Sequence, residues 1–151
     1  MFPQRKWQRG NYLEMEDISL HILDIAENSI RANAENINIV IIENIIKDLL
    51  TLTIEDDGEG MDEKTKEYAL NPFFTTKQGK KVGLGLAFLS QSAEEADGTM
   101  KIESEPGKGT RITATFKLGH IDRKPFGNLY ETIKCLKITH PGINITFNHV
   151  K

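Results

Sequence analysis

The chain has 151 residues, 38% of them hydrophobic and 27% charged, with 19 Lys and Arg against 22 Asp and Glu for a net charge of −3. That is the length of one domain with enough apolar content for a core. It excludes global disorder, and its mild acidity excludes the basic footprint that general nucleic-acid binding needs. A single cysteine, Cys135, excludes an internal disulfide framework and a cysteine-based zinc cluster, and fits a reducing cytoplasm.

Residues 1–17 read as a flexible leader: positive charge is present, but no apolar run follows that would make a signal peptide. Asp17 or Ser19 then caps a helix running to about Asn33, with Ile18, Leu20, Ile22, Leu23, Ile25, Ala26 and Ile30 as its apolar positions. Ile37–Glu43 and Leu49–Glu55 read as β-branched strands joined through the polar break at Asn44–Asp48. That break also keeps the longest aliphatic stretch below the roughly 20 apolar residues of a membrane span, so no membrane association is expected. Asp57-Gly58-Glu59-Gly60 is a turn, a short helix covers about Asp62–Leu70, and Asn71–Val82 lacks a period and reads as a loop. Leu84–Ala96 is a helix stopped by Asp97-Gly98, and Thr99–Ser104 and Thr110–Lys117 are strands around a Pro106-Gly107-Lys108-Gly109 turn.

Leu50, Leu52 and Ile54 alternate with Thr51 and Thr53, and Ile112, Ala114 and Phe116 alternate with Arg111, Thr113 and Thr115. One apolar and one polar face marks an antiparallel or mixed sheet covered by helices on one side, an α+β two-layer sandwich. Charge changes near Gly119. Residues 18–119 hold 11 basic and 17 acidic side chains, whereas residues 120–151 hold 5 basic and 2 acidic ones and three of the four histidines. The tail is short for a domain and is read as an appendage, with a helix over Asn128–Ile138 and a strand over Ile143–Asn148. Leu129, Ile133, Leu136 and Thr139 would give that helix one buried stripe, set either against the domain or against a second copy of the chain.

Four stretches carry chemistry. His21, Asp24, Asn28 and Arg31 share one helix face, and an acid and an amide one turn apart suit a hydrated cation such as Mg²⁺. A solvated face has the same pattern, but Asn28-Ser29 in mid-helix is a poor choice for helix formation alone. In Asp56-Asp57-Gly58-Glu59-Gly60 two glycines admit close backbone approach and a carboxylate can accept from an exocyclic amine, although a plain turn looks alike. Val82-Gly83-Leu84-Gly85-Leu86 opens a helix whose free N–H groups can meet phosphate, but the Walker pattern and a full GxGxxG are absent. Asn71-Pro72-Phe73-Phe74-Thr75-Thr76-Lys77 offers hydroxyls and a lysine for phosphates on a lid, or is an ordinary loop anchored by its phenylalanines.

In this order the stretches resemble the GHKL superfamily, the ATP-binding fold of histidine kinases, anti-sigma-factor serine kinases, gyrase-type topoisomerases, mismatch-repair ATPases and heat-shock chaperones. The resemblance covers about residues 19–118. Asp24–Ser29 is similar to the N box, Asp56–Gly60 to the first glycine box, Asn71–Lys77 to the F box, Val82–Leu86 to the second glycine box, and Glu105–Thr110 to the closing GxGT turn. It implies a Bergerat-type two-layer α/β sandwich with a mixed, mostly antiparallel sheet, and it implies ATP and Mg²⁺ as cofactors. On that basis Asn28 would ligate Mg²⁺, Arg31 would contact phosphate, and Asp56 would accept the adenine amino group. Gly58 and Gly60 would let the purine lie against backbone, and Thr110 would hold a water touching adenine. Gly83, Leu84 and Gly85 would present N–H groups to the phosphates, with Thr76 and Lys77 on the ATP lid. Histidine kinases commonly carry Asn one turn before the magnesium-binding Asn, whereas hydrolases and serine kinases carry Glu. This chain has Asp24, which is therefore the expected catalytic base.

The chain departs from the family at Lys81, where a further glycine is usual. The eighteen residues before Ser19 leave no room for a phosphoacceptor helix. The expectation is a stand-alone cytoplasmic module that binds Mg·ATP, hydrolyses it slowly or passes its phosphoryl group to a separate protein, and does not bind nucleic acid. The alternative is a non-catalytic ATP sensor that reports to a protein partner.

Overall fold

A computed structural model describes residues 17–71 and 85–151. The first helix, α1 (Ile18–Arg31), starts where Asp17 accepts a hydrogen bond from the Leu20 amide and from the Ser19 hydroxyl. This satisfies one of the amides that every helix start leaves without an intrahelical partner. Strands β1 (Asn36–Asn44) and β2 (Leu49–Asp56) form the expected antiparallel hairpin. Helix α2 (Glu63–Leu70) is capped by Asp62, and helix α3 (Gly85–Glu95) follows. Strands β3 (Met100–Ser104) and β4 (Thr110–Lys117) pair antiparallel, and β4 lies against β2. Helix α4 (Leu129–Thr139) and strand β5 (Asn144–Val150) complete the chain.

The strand order is β3-β4-β2-β1-β5, with β5 parallel to β1 and every other pair antiparallel. The α+β two-layer sandwich that the alternation implies, with the mixed, mostly antiparallel sheet that the resemblance implies, is the one observed. Ile37, Ile39 and Ile41, Leu50, Leu52 and Ile54, and Ile112, Ala114 and Phe116 are all buried on the helix-covered face. Ile18, Ile22, Ile25 and Ala26 of α1 and Leu89 and Ala93 of α3 close the core above them. Thr51, Thr53, Thr113 and Thr115 lie on the opposite, solvated face. Among the described residues no helix is long and apolar enough to cross a membrane.

Residues 120–151, set apart by their charge, supply the fifth strand and the fourth helix. Ile133 and Leu136 are buried, Leu129 packs beside them, and Ile145 is buried at the sheet. Thr139 is exposed and turns its hydroxyl back to the Cys135 carbonyl, so the stripe against the domain is one residue shorter than the sequence pattern suggests. The three tail histidines each meet a carboxylate of the preceding part: His120 with Asp97 at 3.4 Å, His140 with Glu27 at 3.3 Å and His149 with Glu43 at 2.5 Å. Removing residues 120–151 would uncover α1 and one edge of β1. Each buried aliphatic side chain is worth about 1.5–3 kcal/mol, so the loss is comparable with a domain's whole stability of about 5–15 kcal/mol. The truncated chain is expected to melt far lower or to associate. A sedimentation profile and melting temperature equal to those of the full chain would refute this.

His21 is buried, 2% exposed, and its Nε2 has no hydrogen-bond partner among the described residues. Burial lowers its pKa from 6.5 to about 4, with nearby Lys124 adding to the shift and Asp17 opposing it. The unfolded chain therefore takes up a proton at a pH where the folded chain refuses one. Stability is intact above about pH 6.5 and falls progressively as the pH drops toward 4. The expected loss by pH 5 is about 2 kcal/mol. Thermal melts of wild type and His21→Leu should diverge in their pH dependence over this window, and parallel curves would assign the burial no energetic consequence.

Candidate functional site

The site lies where the sheet ends beneath α1. Asp56 closes β2, Thr110 opens β4, and the two are register partners on neighbouring strands. Helix α1 crosses above and contributes Ile25, Asn28, Ser29, Arg31 and Ala32 to a cavity of about 330 Å³. Glu59, Gly60 and Met61 from the turn after β2, Thr65 of α2, Leu86 of α3 and Ile112 of β4 complete its wall. It is a mainly apolar slot with Asn28, Arg31, Asp56 and Thr110 among its polar lining, the usual make-up of a small-molecule site.

Asp56 is fixed from two sides. Its Oδ2 accepts from the Ser29 hydroxyl at 2.5 Å and its Oδ1 from the Gly58 amide at 2.8 Å. A carboxylate oxygen has two lone-pair directions, so each retains acceptor capacity for a ligand. Ser29 is 4% exposed and was not among the expected site residues. Its signal was the placement of a poor helix former beside Asn28, which the Asp56 contact explains.

Asp57, adjacent in sequence, does something else. It accepts from the Glu35 and Asn36 amides and the Asn36 side chain, which tie the turn after α1 to the end of β2 and hold the Asp57 carboxyl below the usual carboxylate range.

The glycines meet protein backbone. Gly60 has φ +76°, and a Cβ there would collide with the Glu105 carbonyl oxygen. Gly109 has φ +81°, and a Cβ there would collide with the Asp56 carbonyl oxygen. Both need glycine because the turn after β2 and the turn before β4 are pressed together, with Gly107 N–H donating to the Glu59 carbonyl at 2.6 Å. This close packing sets Glu59 and Gly60 in the cavity wall.

Asn28 lines the same cavity, and its side-chain oxygen accepts from the Arg31 guanidinium. Asp24 sits one turn earlier on α1, next to the start of α3, where a Cβ on Gly85 would stand 3.0 Å from the Asp24 Cβ. Partial burial raises the Asp24 carboxyl above its ordinary value, Arg31 opposes this, and Glu27 reinforces it. The structure thus brings Asn28, Arg31, Asp56, Gly60 and Thr110 to one cavity, with Gly58 holding Asp56 and Gly85 abutting Asp24. His21, from the same sequence stripe, is buried in the interior instead. Thr76, Lys77, Gly83 and Leu84, and nearly all of the expected lid, lie outside the described residues.

Residues 16–120 match the family described as Histidine kinase-, DNA gyrase B-, and HSP90-like ATPase, and the chain belongs to that family. Sporulation kinase E of Bacillus subtilis is 34% identical over 100 residues, covering 66% of this chain and 13% of that protein. Sensor histidine kinase CpxA of Escherichia coli is 28% identical over 117 residues, 74% of this chain and 24% of that protein. The chain therefore spans a quarter or less of the length of these relatives. Among solved structures, the Aquifex aeolicus MutL ATPase domain complexed with ADP has the same fold, with a TM-score of 0.52 at 16% identity over 85% of this chain and 57% of that one.

Proposed function

We propose that the chain binds Mg·ATP in this cavity and either hydrolyses it slowly or transfers its γ-phosphoryl group to a separate protein. The observation that carries the reading is Asp56, a carboxylate held in the wall of a mainly apolar slot by Ser29 and Gly58. A flat purine with an exocyclic amino group matches such a slot, and its aliphatic and thioether walls suit the ring faces. The phosphates would extend toward Asn28, Arg31 and the start of α3 at Gly85, where the N–H groups of a helix start could donate to them.

The donor set fits magnesium in its usual role. No group of three or more His, Cys, Asp or Glu stands ready to hold a metal among the described residues, and Mg²⁺ at a nucleotide needs few protein ligands because phosphates and water supply the rest. Asn28 would provide the amide oxygen once Arg31 releases it, and Arg31 would then be free for a phosphate oxygen. The ion supplies charge neutralisation for phosphoryl transfer, a reaction that depends mainly on positioning and electrostatics. Asp24 would orient or deprotonate the attacking water or hydroxyl.

A second reading, a non-catalytic sensor, draws support from the contact of α4 with α1. His140 meets Glu27, the residue before Asn28, so a change at the nucleotide has a direct path to the tail. Calorimetric titration with ATP and GTP, with and without Mg²⁺, tests the binding. Incubation with γ-labelled ATP, alone and with candidate partner proteins, separates hydrolysis, transfer and sensing. Equal affinity for ATP and GTP would count against the adenine assignment.

A further inference from the structure

Beside the cavity, Ser104, Thr110 and Asp56 are consecutive register partners across β3, β4 and β2. The Ser104 hydroxyl lies 2.9 Å from the Gly109 carbonyl oxygen, 2.8 Å from the Met61 amide nitrogen and 2.8 Å from the Thr110 hydroxyl oxygen. A hydroxyl has one proton to donate and two lone pairs to accept with. A carbonyl can only accept and an amide N–H can only donate. The Ser104 proton is therefore committed to Gly109 and one lone pair to Met61. Only the second lone pair remains for Thr110, so in this pair Thr110 must be the donor. Its proton points at Ser104, so the Thr110 hydroxyl has no proton to offer the cavity that Thr110 lines.

We propose that Ser104, which was not among the expected site residues, is a specificity-determining positioning residue: by holding the Thr110 proton away from the cavity it leaves the Asp56–Thr110 edge of the slot acceptor-only, matched to an amino group at the purine six-position and repelling a carbonyl there. This rests on the reading of the cavity as a purine-nucleotide site. Asp56 and Thr110 then act as a pair of acceptors side by side. A six-oxo purine meets two of them with no donor to satisfy its oxygen, and a polar group buried without its partner is costly.

The test uses the full chain and two nucleotides, ATP and inosine triphosphate, whose six-substituent is a carbonyl. Dissociation constants are measured calorimetrically for wild type, Ser104→Ala, Thr110→Val and the double variant, with melting temperatures recorded for each. Wild type should prefer ATP. Ser104→Ala releases the Thr110 proton to donate toward the carbonyl, and the preference should narrow by about tenfold. A purely structural role for Ser104 would weaken both nucleotides alike and leave their ratio unchanged. Thr110→Val, which removes the repelling acceptor, should narrow the ratio as well, and Ser104→Ala should have no further effect on the ratio in that background. Ser104→Thr, which keeps the hydroxyl, should retain the wild-type ratio. If Ser104→Ala fails to fold, Thr110→Val decides: a narrowed ratio supports the proposal, and an unchanged or widened one overturns it. A wild type that prefers ATP, with a folded Ser104→Ala of unchanged ratio, overturns the Ser104 role alone. A wild type that binds neither nucleotide removes the purine-site reading and this proposal together.

Discussion

Asp56→Asn is expected to lose ATP affinity by about 100-fold or more while keeping the wild-type fold. The side chains are nearly the same size, so the difference is one of hydrogen-bond polarity. Gly58 N–H needs an acceptor, so the asparagine oxygen takes the Oδ1 position. The amide nitrogen then occupies the Oδ2 position, where the Ser29 hydroxyl can turn round and accept from it. Both internal bonds survive, the Gly58 one unchanged and the Ser29 one with its direction reversed. The face offered to the cavity now carries a donor, and the adenine amino group is itself a donor. Binding to ATP should collapse while a six-oxo nucleotide gains in relative terms. Calorimetry with ATP and GTP, alongside a melting curve within a few degrees of wild type, gives the comparison. Retained ATP affinity in the folded variant would move the adenine contact elsewhere in the cavity.

Asp24→Ala is expected to separate binding from turnover. The carboxyl lies one turn before Asn28 on α1 and is raised above the ordinary carboxylate range, a property of groups poised to take up a proton. Alanine keeps the Cβ against which Gly85 packs, so the junction of α1 and α3 should hold. A positioned base contributes about 10²–10⁴-fold, so turnover should fall by that factor while ATP affinity changes only a few-fold. Asp24→Glu restores the longer reach of the usual acid and is expected to raise turnover. Asn28→Ala should instead weaken the magnesium-dependent part of binding. Identical rates of ATP consumption for wild type and Asp24→Ala, with and without a partner, would leave the sensor as the better reading.

Local patterning made most of the architecture legible. Alternation placed Leu50, Leu52, Ile54, Ile112, Ala114 and Phe116 on one buried face, and Asp17 marked the helix start, because these signals depend on neighbours within a few residues. The family followed from short motifs in a set order, of which Asn28, Arg31, Asp56, Gly60 and Thr110 converge on one cavity. Contacts distant in sequence were not legible. Charge suggested that residues 120–151 stand apart, yet β5 pairs in parallel with β1 more than a hundred residues earlier, a match that backbone hydrogen bonds make without regard to side-chain charge. Ser29 looked like an oddity of helix composition until the fold set Asp56 against it. His21 and Asp24 share a stripe on paper, but the packing of α1 buries the first in the core and turns the second toward the start of α3. Residue type and spacing were enough to specify the family and the elements among the described residues. Which hydroxyl orients which acceptor, and which glycine yields to which carbonyl, was decided only when elements separate in the sequence were packed within hydrogen-bonding distance.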